Sequence, residues 1–268
     1  MSQHEYHIIF SPGVCIQARG VHDGICARLA IEQGFKVMYQ GGSMTTAARL
    51  GRADLAFASL NDFAQNAKMT TNINPRIPLI AEADMYDSCG VAGFHIEDQC
   101  KDGVILSLLR VQSRSLVDGY DAALERICPL LAACLLAARE CGADMGFLEA
   151  IEKEEQIKNA VKVLAPMPLM VNLVSNGKTA WFSLEQLGEW GVKLAVYPGA
   201  AGKSVLHTIR RAYKYLMETG KDDAATQGLD PKGFFDVMGL QRRWRLIACQ
   251  GGCHLRIGHR REITGRLQ

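Results

Sequence analysis

The sequence predicts an α/β fold, a (β/α)8 barrel of the TIM type. Short apolar runs alternate along the chain with segments whose apolar residues recur every three or four positions. This alternation indicates strands followed by amphipathic helices, and therefore a parallel sheet that is either doubly wound or closed into a barrel. Seven clear apolar runs and one weaker run match the eight strands of a barrel.

Each predicted strand is an apolar run bounded by polar or turn-forming residues. In chain order the runs are Val14–Ala18, Lys36–Gln40, Pro78–Ala83, Gly93–Glu97, the weaker Val104–Leu109, Asp144–Glu149, Leu169–Val174 and Lys193–Pro198. Three helices have clear end signals, because a glycine follows each helical pattern. These helices are predicted at Asp23–Gln33, Ser183–Trp190 and Lys203–Glu218.

The composition is that of a globular protein. Hydrophobic residues make up 48% of the 268 residues and charged residues 22%, which excludes disorder as the main state. No apolar run reaches the roughly 20 residues of a membrane-spanning helix, and the chain opens without a signal-peptide pattern. We therefore expect a cytoplasmic protein with no membrane partner. Nine cysteines, an odd number, indicate reduced thiols rather than a disulfide framework.

The charge is unevenly distributed. Residues 241–268 contain seven arginines and one glutamate, whereas the whole chain has a formal net charge of only +2. We expect a barrel domain at residues 1–240 and a poorly ordered, Arg-rich tail at residues 241–268. Only the tail is basic, so we expect no nucleic-acid partner.

Polar residues cluster where several predicted strands end. Glu82 and Asp84 lie at the end of one strand, Glu97 at the end of the next, and Asn172 near the end of a later one. In β/α barrels the carboxyl ends of the strands carry the chemistry. Several carboxylates at one barrel mouth repel one another unless a cation lies among them, and oxygen ligands favour Mg²⁺ or Mn²⁺. The alternative is that these are ordinary solvated strand ends.

Several stretches resemble the isocitrate lyase/phosphoenolpyruvate mutase superfamily, in particular its carboxyphosphonoenolpyruvate phosphonomutase-like and methylisocitrate lyase-like branch. The matching stretches are Gly20–Ala30, Tyr39–Gly42, Arg49–Leu55, Ala81–Asp84, Ala92–Gln99, Gly119–Arg126, Gly142–Glu149, Asn172–Thr179 and Val196–Gly199. The resemblance implies a β/α barrel that assembles as a homo-oligomer, a dimer or a tetramer. It also implies an enzyme that makes or breaks a C–C or P–C bond in a small α-keto or enolpyruvyl acid through an enolate.

The resemblance also assigns the site. By position, a Mg²⁺ ion (or Mn²⁺) would be held by Asp54, Glu82, Asp84 and Glu97, mostly through water. A small carboxylic-acid substrate would be bound by Tyr39, Gly41, Gly42 and Asn172. The metal would neutralise the developing oxyanion, and backbone donors would hold the substrate carboxylate.

Four departures from the family pattern leave the activity open. The family has Asp at position 82 and Ser or Thr at position 41, where this chain has Glu and Gly. Only nine residues separate Asp84 from the next strand core, which is short for a parallel crossover, so a barrel helix is expected to be missing. The lyase cysteine motif is absent, and Cys100 is only a weak candidate for the acid.

These departures support an alternative function. The chain would then be a degenerate or mis-spliced family member without catalysis, with a structural or hetero-oligomer role.

Overall fold

The computed structural model describes residues 13–55, 57–82, 93–99, 105–108, 145–148 and 151–240, with only the backbone described at 93–99, 105–108 and 148. The chain divides into two compact units, residues 1–225 and residues 226–268. Eight strands of the first unit pair in chain order into one closed sheet, in which the last strand pairs with the first. An α/β fold with a curled, mainly parallel sheet is therefore confirmed.

All eight predicted strands are present, each within a few residues of its predicted position. They are β1 (Ile16–Gly20), β2 (Val37–Gln40), β3 (Leu79–Glu82), β4 (Gly93–Gln99), β5 (Ile105–Leu108), β6 (Gly146–Leu148), β7 (Leu169–Asn172) and β8 (Leu194–Tyr197). The pairs β1–β2, β2–β3, β3–β4, β6–β7, β7–β8 and β8–β1 are parallel.

Strand β5 departs from the regular (β/α)8 pattern, because it runs antiparallel to both β4 and β6. Only residues 100–104 link β4 to β5. A parallel crossover needs a dozen or more residues, whereas a tight connection returns the chain as an antiparallel neighbour. The ten-residue link at 83–92 nevertheless joins two parallel strands, β3 and β4. The expected loss of a crossover helix at that link lies outside the described residues.

The described helices lie mostly between the parallel strands. They are α1 (Gly24–Glu32), α2 (Gly42–Leu50), α3 (Leu60–Ile73), α4 (Glu154–Leu164), α5 (Leu184–Glu189), α6 (Ala200–Thr219), α7 (Asp223–Thr226) and α8 (Pro231–Val237). The three predicted helices correspond to α1, α5 and α6. Ser183 caps α5 as expected, and Gly191 follows it with a φ of +95°, a backbone conformation that favours glycine.

The sheet encloses an apolar core between strands. Its buried residues alternate along the strands, since every second side chain points to the same face. They are Ala18, Val37, Tyr39, Ile80, Met145, Phe147, Met170, Leu194 and Val196. Two further apolar clusters pack helices onto the outer face of the sheet, one beneath α1 and α3 and one beneath α4 and α5.

Packing against helix α3 also fixes the carboxyl end of β2, next to which the candidate site lies. Gln40, the last residue of β2, is fully buried. Its side-chain amide donates to the Phe63 carbonyl at 3.1 Å and accepts from the Asn66 amide at 3.0 Å. Because both partners are on α3, these bonds hold the carboxyl end of β2 against that helix.

The described part of the second unit contains α8, which is capped by the Asp230 side chain and begins with Pro231. None of the helices in the described ranges is long and apolar enough to cross a membrane.

Candidate active site

The candidate site lies at the carboxyl edge of the parallel strands. Gly41 and Gly42 follow β2, Glu82 is the last residue of β3, and Asn172 is the last residue of β7. Because these strands run parallel in one closed sheet, their carboxyl ends open onto the same edge.

The side chain of Glu82 bonds to the start of helix α2. Its Oε2 atom accepts a 2.7 Å hydrogen bond from the backbone N–H of Gly42, and the Tyr39 hydroxyl donates to the same oxygen at 3.4 Å. Gly41 is the N-cap of α2 and has no side chain with which to cap it. A helix N-terminus favours a negative charge. Glu82 therefore supplies from β3 the cap that Gly41 lacks.

A second carboxylate lies on the same face of Gly42. A methyl group added at Gly42 would lie 3.0 Å from Asp54 Oδ2 and 3.3 Å from Glu82 Oε1. Both acidic side chains are half-buried, and Gly42 itself is buried. Two half-buried carboxylates that line one face of the same residue offer oxygen ligands to a divalent cation. The donor set fits a hard divalent metal ion.

The structure brings together five of the predicted site residues and leaves others undecided. The residues brought together are Tyr39, Gly41, Gly42, Asp54 and Glu82. Asn172 is on the same edge of the sheet and half-buried. Glu97 belongs to β4, of which only the backbone is described. Asp84 and Cys100 lie outside the described residues.

The link between Glu82 and Gly42 was not predicted from the sequence. Two signals for it were present in the comparison with the family pattern. Position 82 has Glu in place of the shorter Asp, and position 41 has Gly in place of Ser or Thr, but the two positions are far apart in the sequence. The longer acid compensates for the missing cap because the two positions meet at neighbouring strand ends.

Two thiols near β1, the half-buried Cys15 and the buried Cys26, do not have the properties of a nucleophile. Burial raises the pKa of Cys15 to about 12. Burial and the neighbouring Asp23 carboxylate raise the pKa of Cys26 to about 12. A reactive cysteine needs a lowered pKa, so neither thiol is suited to act as an acid or nucleophile of the lyase type.

Comparison with known proteins finds relatives that are lyases. It is 25% identical to 2-methylisocitrate lyase from Vibrio cholerae, with 78% of this chain and 80% of the relative covered. It is 26% identical to 2,3-dimethylmalate lyase from Eubacterium barkeri, with 85% and 90% covered. No family model matches the chain.

Solved structures agree in fold. A crystal structure of 2,3-dimethylmalate lyase, described as a PEP mutase/isocitrate lyase superfamily member, superposes with a TM-score of 0.78 at 30% identity, covering 96% of this chain and 97% of that one. Oxaloacetate acetylhydrolase in complex with its product oxalate superposes with a TM-score of 0.78 at 31% identity, covering 93% and 98%. The chain belongs to the PEP mutase/isocitrate lyase superfamily.

Proposed function

We propose that the protein is a divalent-metal-dependent enzyme that makes or breaks a C–C or P–C bond in a small α-keto or enolpyruvyl carboxylic acid. The observation that carries this proposal is the convergence of Asp54 and Glu82 over Gly42 at the carboxyl edge of the sheet. The names of the relatives give the substrate class, since they are lyases or a hydrolase of small carboxylic acids. Lyase, mutase and hydrolase chemistry all belong to this class.

The metal would be Mg²⁺ or Mn²⁺, held by Asp54 and Glu82 together with Asp84 and Glu97. When bound, such an ion neutralises an enolate oxygen as negative charge develops on it. Asp54 and Glu82 supply hard oxygen ligands from a loop and from a strand end. Their half-buried position strengthens the attraction for a cation, because the local dielectric is lower than in water.

The substrate carboxylate would be bound by donors that face the same space. The Gly42 N–H points out of the start of α2, and the Tyr39 hydroxyl lies beside it. Asn172 at the end of β7 would contribute an amide. Both Gly42 and Tyr39 donate to Glu82 Oε2, so a substrate carboxylate would have to share these donors with Glu82 or take them from it.

Turnover tests this proposal. Purified protein with millimolar Mg²⁺ is incubated with 2-methylisocitrate, 2,3-dimethylmalate or oxaloacetate, and products are followed by NMR. We expect turnover of a small carboxylic acid that disappears on chelation, in Asp54→Asn and in Asp84→Ala. If Asp84→Ala kept its turnover, the assignment of Asp84 as a metal ligand would be wrong. If none of the three acids were turned over, the proposal that the protein is an enzyme of this class would be contradicted.

A second candidate function rests on the Glu82 contact itself. With Glu82 Oε2 bonded to the Gly42 N–H, a carboxylate of the protein already lies at the start of α2. A family member in which this contact persists would be non-catalytic and would act as a structural or hetero-oligomer partner. The Glu82→Asp variant distinguishes the two functions. Oxalate binding gained only in the variant indicates a self-occupied site, whereas binding by both proteins favours the enzyme.

We also propose that the protein is a homo-oligomer, because helix α6 leaves an apolar stripe exposed. None of its 20 residues is buried. The exposed apolar residues recur every three or four positions, at Leu206, Ile209, Tyr213 and Met217. Such a stripe is typical of a helix that packs against another surface. Sedimentation velocity tests this proposal, since Tyr213→Lys should dissociate the oligomer and Lys214→Ala should not.

A further inference from the structure

We infer that His22, Asp23 and Cys26 form a binding site for a transition-metal ion of the zinc class, distinct from the Asp54–Glu82 site. The three residues follow β1 at its carboxyl end, where the chain turns into helix α1. One potential ligand atom from each lies within 4.8 Å of the others. The inference does not depend on the proposed enzymatic function, because it concerns other residues and a softer class of metal.

Two of the ligand-to-ligand distances match those around a tetrahedral metal ion. Cys26 Sγ lies 3.5 Å from His22 Nε2, and Asp23 Oδ2 lies 3.5 Å from the same nitrogen. Zinc bonds of about 2.3 Å to sulfur and about 2.0 Å to nitrogen at a tetrahedral angle separate those two atoms by about 3.5 Å. The third pair, Cys26 and Asp23, lies within 4.8 Å, so a single ion placed among the three side chains would be in reach of all of them.

The three side chains contact one another at a single point, His22 Nε2, from which Cys26 Sγ and Asp23 Oδ2 each lie 3.5 Å away. Around an ion, thiolate, imidazole and carboxylate would all donate electron pairs to the same cation. As the sulfur–metal bond forms, the thiol proton would pass to solvent.

The other nitrogen of His22 carries the ring proton when Nε2 binds an ion. Nδ1 is buried and has no hydrogen-bond partner among the described residues, and His22 as a whole is only 6% exposed. An unsatisfied N–H at Nδ1 costs free energy, which the three bonds to the metal have to exceed.

The three residues combine rigidity with access. Asp23 is the N-cap of α1, and its Oδ1 atom accepts from the Cys26 backbone N–H at 2.7 Å, which leaves Oδ2 directed toward His22. Cys26 is buried, whereas the Asp23 side chain is 42% exposed. The ion can enter past Asp23, and water completes the coordination on that side. Three protein ligands with one open position are typical of zinc sites that accept a further ligand.

The ligand types indicate the class of metal. Thiolate and imidazole select Zn²⁺ and related transition metals over Mg²⁺ or Ca²⁺, which prefer oxygen. The Asp54–Glu82 pair offers only oxygen. The two sites are therefore expected to differ in selectivity, and millimolar Mg²⁺ should not displace zinc from the His22 cluster.

Cobalt titration of the full-length protein tests the inference. Metal is removed with a chelator, Co²⁺ is added in the presence of millimolar Mg²⁺, and the thiolate-to-cobalt charge-transfer absorption is recorded. We expect one equivalent of Co²⁺ to bind with this absorption, and Zn²⁺ to abolish it. Cys26→Ser should lose the absorption, and His22→Gln should weaken binding at least tenfold. The matched control Cys15→Ser removes another half-buried thiol and should bind like the unmodified protein.

Alkylation of the unmodified protein gives a second test that needs no variant. Iodoacetamide labelling at each cysteine is followed by peptide mass spectrometry, without metal, with Zn²⁺ and with Mg²⁺. Zinc should slow labelling of Cys26 at least tenfold and leave Cys15 unaffected, and Mg²⁺ should change neither. Equal labelling of Cys26 with and without zinc would overturn the inference. Cobalt absorption that persists in a folded Cys26→Ser variant would overturn it as well.

Discussion

The Glu82 Oε2 atom lies 2.7 Å from the backbone nitrogen of Gly42 and accepts its hydrogen bond. This contact joins the end of β3 to the start of α2 and directs the carboxylate toward the face of Gly42 that Asp54 also lines. The same side chain thus serves a helix terminus and a candidate metal site. On the proposed function, we expect the balance between these two roles of Glu82 to determine whether a ligand carboxylate can bind.

Shortening Glu82 should free the Gly42 N–H. In Glu82→Asp the side chain loses a methylene, and the carboxylate no longer reaches the start of α2. A hydrogen bond to a charged group contributes about 1.5 kcal/mol or more, so removing this competitor should tighten oxalate binding about tenfold in the presence of Mg²⁺. Isothermal titration calorimetry measures the change.

Glu82→Gln is the matched control for this prediction. The amide keeps the length and can accept the same hydrogen bond from Gly42, but it carries no charge. Oxalate binding should therefore not tighten, and binding of Mg²⁺ should weaken. If Glu82→Asp bound oxalate no better than the unmodified protein, Glu82 would not compete with the ligand.

Filling the space at Gly42 should remove metal binding without unfolding the protein. A methyl group there would lie 3.0 Å from Asp54 Oδ2 and 3.3 Å from Glu82 Oε1, the two atoms expected to face the ion. Gly42→Ala should lose the rise in Tm that Mg²⁺ gives the unmodified protein. Ser43→Ala, at the next and exposed helix position, should keep it. If Mg²⁺ raised the Tm of Gly42→Ala as much as that of the unmodified protein, the metal would bind elsewhere.

The closure of the sheet depends on Gly20. A methyl group at this position would lie 2.2 Å from the Pro198 carbonyl oxygen and 2.6 Å from the Tyr197 carbonyl oxygen, both of which are backbone atoms. Backbone at a strand end cannot move aside as a side chain can, so Gly20→Ala should destabilise the fold by about 3 kcal/mol.

Urea unfolding of Gly20→Ala and of a second variant checks this value. In Gly24→Ala the added methyl meets the flexible Met69 Sδ at 3.2 Å, and the residue lies in a helix, where alanine is favoured. Its stability should stay within about 1 kcal/mol of the unmodified protein. Equal stability of the two variants would be inconsistent with the close approach of β1 to the end of β8.

The cap of α3 should make stability depend on pH in the acid range. The Ser59 hydroxyl donates to the Asp62 carboxylate at 2.6 Å and thereby lowers the pKa of Asp62. A carboxyl group whose pKa is lowered by folding stabilises the protein above its unfolded pKa of about 3.9. That stabilisation is lost as the pH falls through the lower, folded pKa. The Tm difference between Ser59→Ala and the unmodified protein should therefore shrink below pH of about 4.

Helix α5 provides the control. Ser183 caps it in the same way, but Gln186 occupies the position that Asp62 occupies in α3. An amide does not titrate, so the Tm difference caused by Ser183→Ala should not depend on pH in this range. Thermal melts between pH 3 and pH 7 compare the two variants. A pH-independent difference for Ser59→Ala would contradict the role of Asp62.

The strand positions could be predicted because each strand is a short apolar run bounded by polar or turn-forming residues. The antiparallel direction of β5 could be predicted only in part. The five-residue link at 100–104 is too short for a parallel crossover from β4. The pairing of β5 with β6, however, depends on the closure of the whole sheet. Helices α2 and α3 were not predicted. Helix α2 begins with Gly42 directly after a glycine N-cap, Gly41, and α3 carries polar residues on most of its surface.

Part of the site could be predicted because polar residues at strand ends follow a local rule, which gave Glu82. Asp54 was expected beside it from the family resemblance alone, and the two side chains do line one face of Gly42. Two features could not be predicted from local patterns. One is the contact of Glu82 with α2, which joins two strand ends. The other is the His22–Cys26 contact, where a cysteine that looked like an ordinary core residue faces a histidine.

The most direct test of the central claim is a thermal melt with Mg²⁺ and oxalate, alone and together. A ligand that binds only the folded state raises the Tm. We predict a joint increase larger than that of either compound alone, and its loss in Asp54→Asn. A cooperative melt whose Tm is the same under all four conditions would contradict a carboxylate-binding metal site at the end of β3.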